Sequence, residues 1–235
     1  MIKFFIDFDG TISKNDVIDL ILERFAGPEW KKVEAEWISG KIGSRECLTR
    51  QIALVNASEN ELKTLIQEVE LDPHFISFLK KAFEYSIPIT IVSDGLDWVI
   101  RNTLNYHFQS EPGLLLNLPV YSNFLFWKND KPQISFSTKD VCSHACANCK
   151  ELVIKTRSEP SDEVVFIGDG LSDRYAAKIS NLTFAKGKLL KFCEDNKIIH
   201  KKYSNFNDIK NWLEKRTLNI TRPPNAEKES HATIH

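Results

Sequence analysis

A run of apolar and aromatic residues, Ile2 to Ile6 with Lys3 its one polar interruption, leads straight into Asp7-Phe8-Asp9-Gly10-Thr11. That lead-in reads as the first strand of the fold, buried in a sheet. Side chains alternate along a strand, so Asp7 and Asp9 would share a face if it ran on through both. Gly10 and Thr11 bend the chain instead. One carboxylate is then aimed across the top of the sheet while the other swings with the loop. Open parallel sheets bind ligands in the crevice beyond the carboxyl ends of their strands, which is where these carboxylates fall. Asp-x-Asp also occurs in solvated turns and calcium loops, but so apolar a lead-in favours chemistry over a turn.

Two more strand-loop-helix units follow. Ile87 to Val92 runs into Ser93-Asp94-Gly95 and an amphipathic stretch from Leu96 to Leu104, delivering a hydroxyl and helix-start amides. Glu163 to Ile167 runs into Gly168-Asp169-Gly170-Leu171-Ser172-Asp173 and a helical Arg174 to Lys178, delivering two more carboxylates. Four aspartates around one crevice repel strongly unless cations balance them. Hard carboxylate oxygens with no histidine among them suit Mg²⁺. Lys150, just ahead of the helix-like Glu151 to Arg157, is a candidate for the balancing side chain, although a lone lysine is ordinarily a surface residue.

Taken in order, Asp7-x-Asp9-x-Thr11, Ser93-Asp94-Gly95, Lys150 and Gly168-Asp169-Gly170-x-x-Asp173 resemble the four signature pieces of the haloacid dehalogenase superfamily of phosphohydrolases, over roughly residues 1 to 215. The resemblance implies an α/β fold: a doubly wound, Rossmann-like parallel sheet with a small helical cap inserted after the first strand. It implies Asp7 as nucleophile, Asp9 as general acid and base, and Ser93 and Lys150 as phosphate holders. Asp7, Asp9, Asp169 and Asp173 are the expected Mg²⁺ carboxylates, Asp173 at one remove. Gly10, Thr11, Asp94 and Gly95 are expected to surround the phosphate. An acid at position 9 favours phosphate chemistry, since the dehalogenase and phosphonatase branches lack one there.

Residues 14–74 are too many for an ordinary crossover. Apolar residues recur at helical spacing over Asp16 to Phe25 and Glu29 to Ile38, followed by Ser44 to Val55 and Glu59 to Val69, with Ser58-Glu59-Asn60-Glu61 as a helix start. These predict a cap that excludes water and selects substrate, over a core of residues 1–13 and 75–216. Asp16, Trp30, Trp37, Arg45, Arg50 and Gln51 are its candidate substrate contacts, with core packing the alternative for the two tryptophans.

Phe25-Ala26-Gly27-Pro28-Glu29-Trp30, the Ser93-Asp94-Gly95 form and the cysteine-rich run before Lys150 resemble the phosphoserine-phosphatase-like branch, and within it the phosphatases of methionine salvage. That resemblance implies 2-hydroxy-3-keto-5-methylthiopentenyl-1-phosphate as substrate. Gln51, with Arg50 adjacent, stands where phosphoserine phosphatases carry a carboxylate-binding arginine, and Asp16 where they carry Glu; both count against phosphoserine. Phosphocholine, phosphoethanolamine and pyridoxal phosphate stay open as substrates. So do two other classes: a phosphosugar mutase, and a binding protein that keeps the fold without turnover.

Cys142-Ser143-His144-Ala145-Cys146-Ala147-Asn148-Cys149 holds three thiols and an imidazole beside Lys150. Zinc, a disulfide, or reduced thiols that shape the loop are the three readings, and the spacing lacks the paired C-x-x-C form of common zinc sites. Five cysteines, an odd count, with no signal-like start favour reduced thiols and a cytoplasmic setting. Cys47 and Cys193 read as packing residues.

Thirty-one basic against thirty-two acidic residues leave no global field for nucleic acid or an anionic membrane. The expected partner is a small phosphomonoester, with the chain a monomer or homodimer. Further elements are a strand over Leu182 to Ala185, a helix over Leu189 to Asp195 and a closing helix over Ile209 to Lys215. Leu114 to Phe136 read as two or three short strands forming a flap or a dimer surface, and residues 217–235 as a polar, flexible tail.

Overall fold

The computed structural model describes residues 1–137 and 142–221. Seven strands form one sheet in the order β4-β3-β2-β1-β5-β6-β7: β1 (Ile2–Ile6), β2 (Ile89–Leu96), β3 (Val120–Lys128), β4 (Lys131–Ser135), β5 (Glu163–Gly168), β6 (Leu182–Ala185) and β7 (His200–Lys202). The helices are α1 (Val17–Phe25), α2 (Trp30–Ile38), α3 (Ser44–Ile52), α4 (Glu59–Ile66), α5 (Phe75–Glu84), α6 (Asp97–His107), α7 (Lys150–Arg157), α8 (Arg174–Ile179), α9 (Gly187–Asp195) and α10 (Phe206–Thr221). All strand pairs are parallel except β3 with β4. The α/β, Rossmann-like class expected from the sequence is the class found.

The apolar run of β1 is buried on both faces. Phe4 and Ile6 face one layer with Ile89, Ile91, Val165 and Ile167; Phe5 faces the other with Val92, Val164 and Phe166. On the first face Phe4, Phe75, Phe78 and Phe206 stack edge to face or tilted, Phe4 with Phe78 at 5.3 Å and Phe75 with Phe206 at 5.0 Å, and this seats α5 and α10. On the second face the small residues Ala176 and Ala177 let α8 approach closely. β1 sits between β2 and β5, so the chain leaves it toward opposite sides of the sheet. The crevice beyond its carboxyl end is the topological switch point.

Between β1 and α5 the chain inserts α1 to α4. Asp16 caps α1, its Oδ1 accepting from Ile18 N (2.9 Å) and Asp19 N (3.1 Å), and Ser58 with Glu61 closes a capping box on α4. The two chain segments entering and leaving the insertion pair as a short neck: Lys14 N donates to Glu70 O and Asp72 N to Ile12 O, flanking a bridge between Ser13 and Leu71. Val17, Leu22, Leu48 and Leu62 of the insertion belong to the same apolar cluster as Ile6 and Ile91 of the sheet.

Four expectations change. Residues 112–117 form a 3-10 turn, because Pro112 and Gly113 break the alternation there, and β3 and β4 extend the main sheet as its edge rather than forming a flap. β2 continues through Ser93-Asp94-Gly95 to Leu96, so those residues are strand and not a helix start. α9 begins at Gly187, two residues before the expected Leu189. The closing helix runs from Phe206 to Thr221, since Phe206 and Ile209 anchor it against α5, so residues 217–221 of the expected tail are helical. Residues 222–235 lie outside the described residues. Both sheet edges are polar: His200-Lys201-Lys202 on one side, Lys131 and Pro132 on the other, which blunts edge pairing.

Candidate active site

Three strand ends and one helix start converge on the crevice. Asp7 leaves β1 with its N–H on Ile167 O of β5, and its Oδ1 accepts from Phe8 N at 2.8 Å. Lys150, at the start of α7 and 3% exposed, places Nζ 2.7 Å from Asp7 Oδ1 and 2.6 Å from Asp173 Oδ1. Asp173 is wholly used by the protein, since its Oδ2 accepts from Asp169 N and Gly170 N at 3.0 Å each. Burial alone would lower the Lys150 ammonium, but attraction from Asp173, Asp7 and Asp94 outweighs it and raises it. Burial, then repulsion from Asp173, holds Asp7 well above the usual carboxylate range, against the pull of Lys150.

Asp9 lies apart from this pair. Its Oδ1 accepts from Val17 N at 3.0 Å at the start of α1, and its Oδ2 from Ser93 Oγ at 3.3 Å. Burial, reinforced by Asp16, pushes Asp9 up to about 8. Two glycines make this packing possible. A Cβ on Gly95 would sit 2.5 Å from Asp9 Oδ2, and one on Gly10, where φ is +70°, would sit 2.6 Å from Asp169 Oδ2.

Ser93 to Gly95 form a bulge. Val92 pairs with Tyr121 and Leu96 with Asn123, so three residues of β2 oppose one of β3. Bulges re-aim side chains beside sites. The freed carbonyls are held by two asparagines: Asn123 Nδ2 donates to Asp94 O (2.7 Å) and Asn148 Nδ2 to Ser93 O (3.0 Å). Asp94 Oδ2 accepts from Ser44 Oγ at the start of α3 (3.0 Å), while its Oδ1 is buried without a partner.

Asp7, Asp169 and Asp173 each offer a carboxylate oxygen within 4.8 Å of the others. One buried lysine cannot neutralise three carboxylates, and Asp169 is pushed up to about 6 by burial and by Asp173. An all-carboxylate set with this surplus of negative charge fits a hard divalent cation such as Mg²⁺. Asp9 does not join that group as a side chain, contrary to the expectation, because its oxygens are turned to α1 and Ser93.

A cavity of about 420 Å³ opens above these residues, reaching up to Trp37, Leu48, Glu34 and Gln51 of the insertion. Asp7, Asp9, Asp16, Ser93, Asp94, Gly95, Lys150 and Asp169 all line it. Thr11 lies beneath and donates to Asp169 Oδ1 at 2.9 Å, holding a carboxylate rather than facing the cavity. Trp37 lines the cavity, whereas Trp30 is core. Gln51 donates to Glu34 Oε2 at 2.9 Å. Arg50, expected to meet substrate, does not line the cavity; it is 40% exposed and paired with Glu36 at 2.6 Å and with Glu46, because the helical period turns it away from neighbouring Gln51. Arg45 lies over the Phe136 ring. Asp97 accepts from Leu125 N, a structural contact. Asp19, Glu34, Ser44, Asn123, Asn148 and Lys188 were not legible as site residues; only Asn148, two positions before Lys150, carried a positional hint.

The model of the haloacid dehalogenase-like hydrolases matches residues 4–178, a span that includes Asp7, Asp9, Ser93, Lys150, Asp169 and Asp173. The chain belongs to that family. Its expected identity as a haloacid dehalogenase-like hydrolase of phosphate monoesters therefore stands. Over 225 residues this hydrolase is 28% identical to a 2-hydroxy-3-keto-5-methylthiopentenyl-1-phosphate phosphatase of Bacillus pumilus, covering 90% of this chain and 94% of that protein. It is 30% identical over 218 residues to the protein of the same name in Bacillus cereus, covering 90% and 95%. Among solved structures it shares the fold of a phosphoserine phosphatase captured as a phospho-aspartyl intermediate analogue, with a TM-score of 0.64 and 21% identity over 89% of this chain and 97% of that one. Among the described residues no helix is long and apolar enough to cross a membrane.

Proposed function

We propose that this hydrolase is a Mg²⁺-dependent phosphomonoesterase that works through an aspartyl-phosphate on Asp7, with a small phosphorylated metabolite as substrate. The observation that carries the reading is the pairing of Asp7 with buried Lys150 at 2.7 Å while Asp9, held up to about 8, waits separately on Ser93 and α1. Burial raises both acids, but only Asp7 has an ammonium in contact with it to stabilise its charged form, an asymmetry that suits a nucleophile and a proton carrier.

In the first step an Asp7 carboxylate oxygen bonds phosphorus as the ester P–O bond breaks, and Asp9 gives its proton to the departing alkoxide. In the second, Asp9 takes a proton from water, whose oxygen bonds phosphorus as the Asp7–phosphorus bond breaks, freeing phosphate. Lys150 holds Asp7 in place, and Ser93 Oγ, which accepts from Gly95 N and donates to Asp9, would turn its proton to a phosphate oxygen when Asp9 is protonated. Mg²⁺, held by Asp7 and Asp169 with Asp173 behind them, would supply the charge that lets one anion approach another. Closure of the inserted helices over bound substrate would exclude water from the cavity.

The names of the bacterial relatives favour the enol phosphate 2-hydroxy-3-keto-5-methylthiopentenyl-1-phosphate, and Trp37, Leu48 and Ile18 supply an apolar wall for a thioether tail. A second reading has its own observation. Asp19 and Glu34 line the far end of the cavity, and burial and Glu34 push Asp19 up to about 6, an environment that would welcome an ammonium group as in phosphoethanolamine or phosphocholine. Five free thiols are in keeping with a reducing, cytoplasmic setting.

Phosphate release from the enol phosphate, phosphoserine, phosphocholine, phosphoethanolamine and pyridoxal phosphate, with Mg²⁺ and with chelator, tests the reading. The expected result is Mg²⁺-dependent turnover concentrated on one ester and a loss of about 10³-fold or more in Asp7→Asn with the fold intact by circular dichroism. Turnover by folded Asp7→Asn at the wild-type rate would sink the mechanism.

A further inference from the structure

We propose that Cys142, His144 and Cys146 form a second metal site, for a zinc-class divalent cation, on the loop that delivers Lys150. Ligand atoms of the three residues lie within 4.8 Å of one another. Tetrahedral zinc with thiolate and imidazole ligands sets donors about 3.5–3.8 Å apart, so the loop needs to contract by at most about 1 Å. The Cys142 thiol also neighbours that of Cys149, which stands outside the three-residue group and would have to move toward it to serve as a fourth donor, a place that water could take instead. All five cysteines of the chain are free, so no disulfide consumes these sulfurs.

The surroundings resemble a ligand shell more than a packed core. His144 Nδ1 is buried and has no hydrogen-bond partner; Glu151 Oε2, its nearest carboxylate, stands at 3.6 Å. The ring itself is fixed, stacked on Tyr175 of α8 at 3.6 Å with the planes 10° apart. Cys146 N donates to Cys142 Sγ at 3.4 Å, the kind of outer contact that orients a thiolate ligand. A reversal at Ala145, where φ is +52°, folds the loop so that the three side chains meet. His144 and Cys146 also line a cavity of about 350 Å³ beside the end of α2, an entry path for an ion. Soft sulfur donors separate this site from the all-carboxylate cluster below it, which takes a hard cation.

The ion would tie together three elements. Cys149 is the cap of α7 and is followed by Lys150; His144 reaches α8; Arg45 N on Ala145 O (3.2 Å) and Ala147 N on Ser44 Oγ (2.9 Å) join the loop to α3. Binding replaces the thiol protons, which pass to solvent. The proposal stands whether or not the chain hydrolyses phosphate esters.

The test uses the full chain, purified without chelator. Elemental analysis is expected to find about one zinc per chain after dialysis into Mg²⁺ buffer, a retention typical of structural sites. Reduced, metal-stripped protein given Co²⁺ is expected to develop thiolate-to-cobalt charge-transfer absorption, which carboxylates cannot produce. Cys142→Ser with Cys146→Ser should abolish that absorption, and Cys193→Ala, on the buried face of α9 away from the loop, should retain it. Wild-type protein that carries no zinc and shows no charge-transfer band with Co²⁺ overturns the proposal without reference to how any variant folds. An undiminished band in the double variant overturns it equally.

Discussion

At the scale of single residues the site is governed by charge under burial. Asp7 and Asp173 share one ammonium, and removing it strands two carboxylates at 4% and 0% exposure. Lys150→Met is therefore expected to cost about 3–5 kcal/mol in urea unfolding of the metal-free protein, as well as its turnover. Adding Mg²⁺ should recover part of the stability by restoring positive charge beside Asp7. Asp9 behaves differently, because its partners are neutral. Its folded value of about 8 lies above the 3.8 of an unperturbed aspartate, so between those values the folded chain keeps a proton that the unfolded chain has lost. Its contribution to stability is present below about pH 4 and is lost as pH rises through about 8, a change on the order of a few kcal/mol. Thermal unfolding without metal should fall in midpoint from pH 6 to pH 8.5, and Asp9→Asn should flatten that slope. A slope unchanged by Asp9→Asn would show that Asp9 titrates normally.

At the scale of elements, α2 and α3 divide their residues between cavity and solvent by helical period. Glu34 and Gln51 meet across the cavity at 2.9 Å, while Glu36 and Arg50 meet outside it at 2.6 Å. Two substitutions on these helices thus separate cleanly. Arg50→Ala is expected to leave kcat/KM within about twofold, since exposed ion pairs contribute little. Glu34→Gln is expected to change the ratio of kcat/KM between cationic and neutral esters by about tenfold, the scale of one charged contact in a partly desolvated site. Equal effects on both esters would mean that Glu34 only props Gln51. The same period explains why Arg50 was legible as a candidate and wrong as a contact: sequence adjacency to Gln51 says nothing of direction, whereas a helix turns successive side chains by about 100°.

For the whole molecule, the aromatic cluster of Phe4, Phe75, Phe78 and Phe206 joins the first strand to α5 and to the last helix, so the two ends of the described chain depend on one packing unit. Phe78→Ala is expected to cost about 3–5 kcal/mol by denaturant unfolding and to loosen the site through β1, since Phe4 packs on it at 5.3 Å three residues before Asp7. A loss below about 1 kcal/mol would mean that the cluster repacks without it. β3 and β4 were expected only as short strands within Leu114 to Phe136 and the three-residue β7 was not expected, whereas strands β1, β2, β5 and β6, the four inserted helices and the positions of Asp7, Asp9, Ser93, Lys150, Asp169 and Asp173 were legible in the sequence. Each rests on a local rule: an apolar run ended by polar residues, a 3.6-residue period, a cap. What was not local could be decided only by the fold. The bulge that turns Ser93 toward Asp9 depends on Asn123 and Asn148, one from β3 and one from the loop before α7. The exclusion of Asp9 from the carboxylate cluster depends on the start of α1, eight residues on. The placement of β3 and β4 at the edge of the main sheet depends on pairing with β2, and the approach of Cys142, His144 and Cys146 depends on a left-handed turn at Ala145. Periodicity and motif order report what each segment can become. Which atoms come within bonding distance is set by contacts between segments far apart in the chain, and those exist only once the sheet has closed around Asp7.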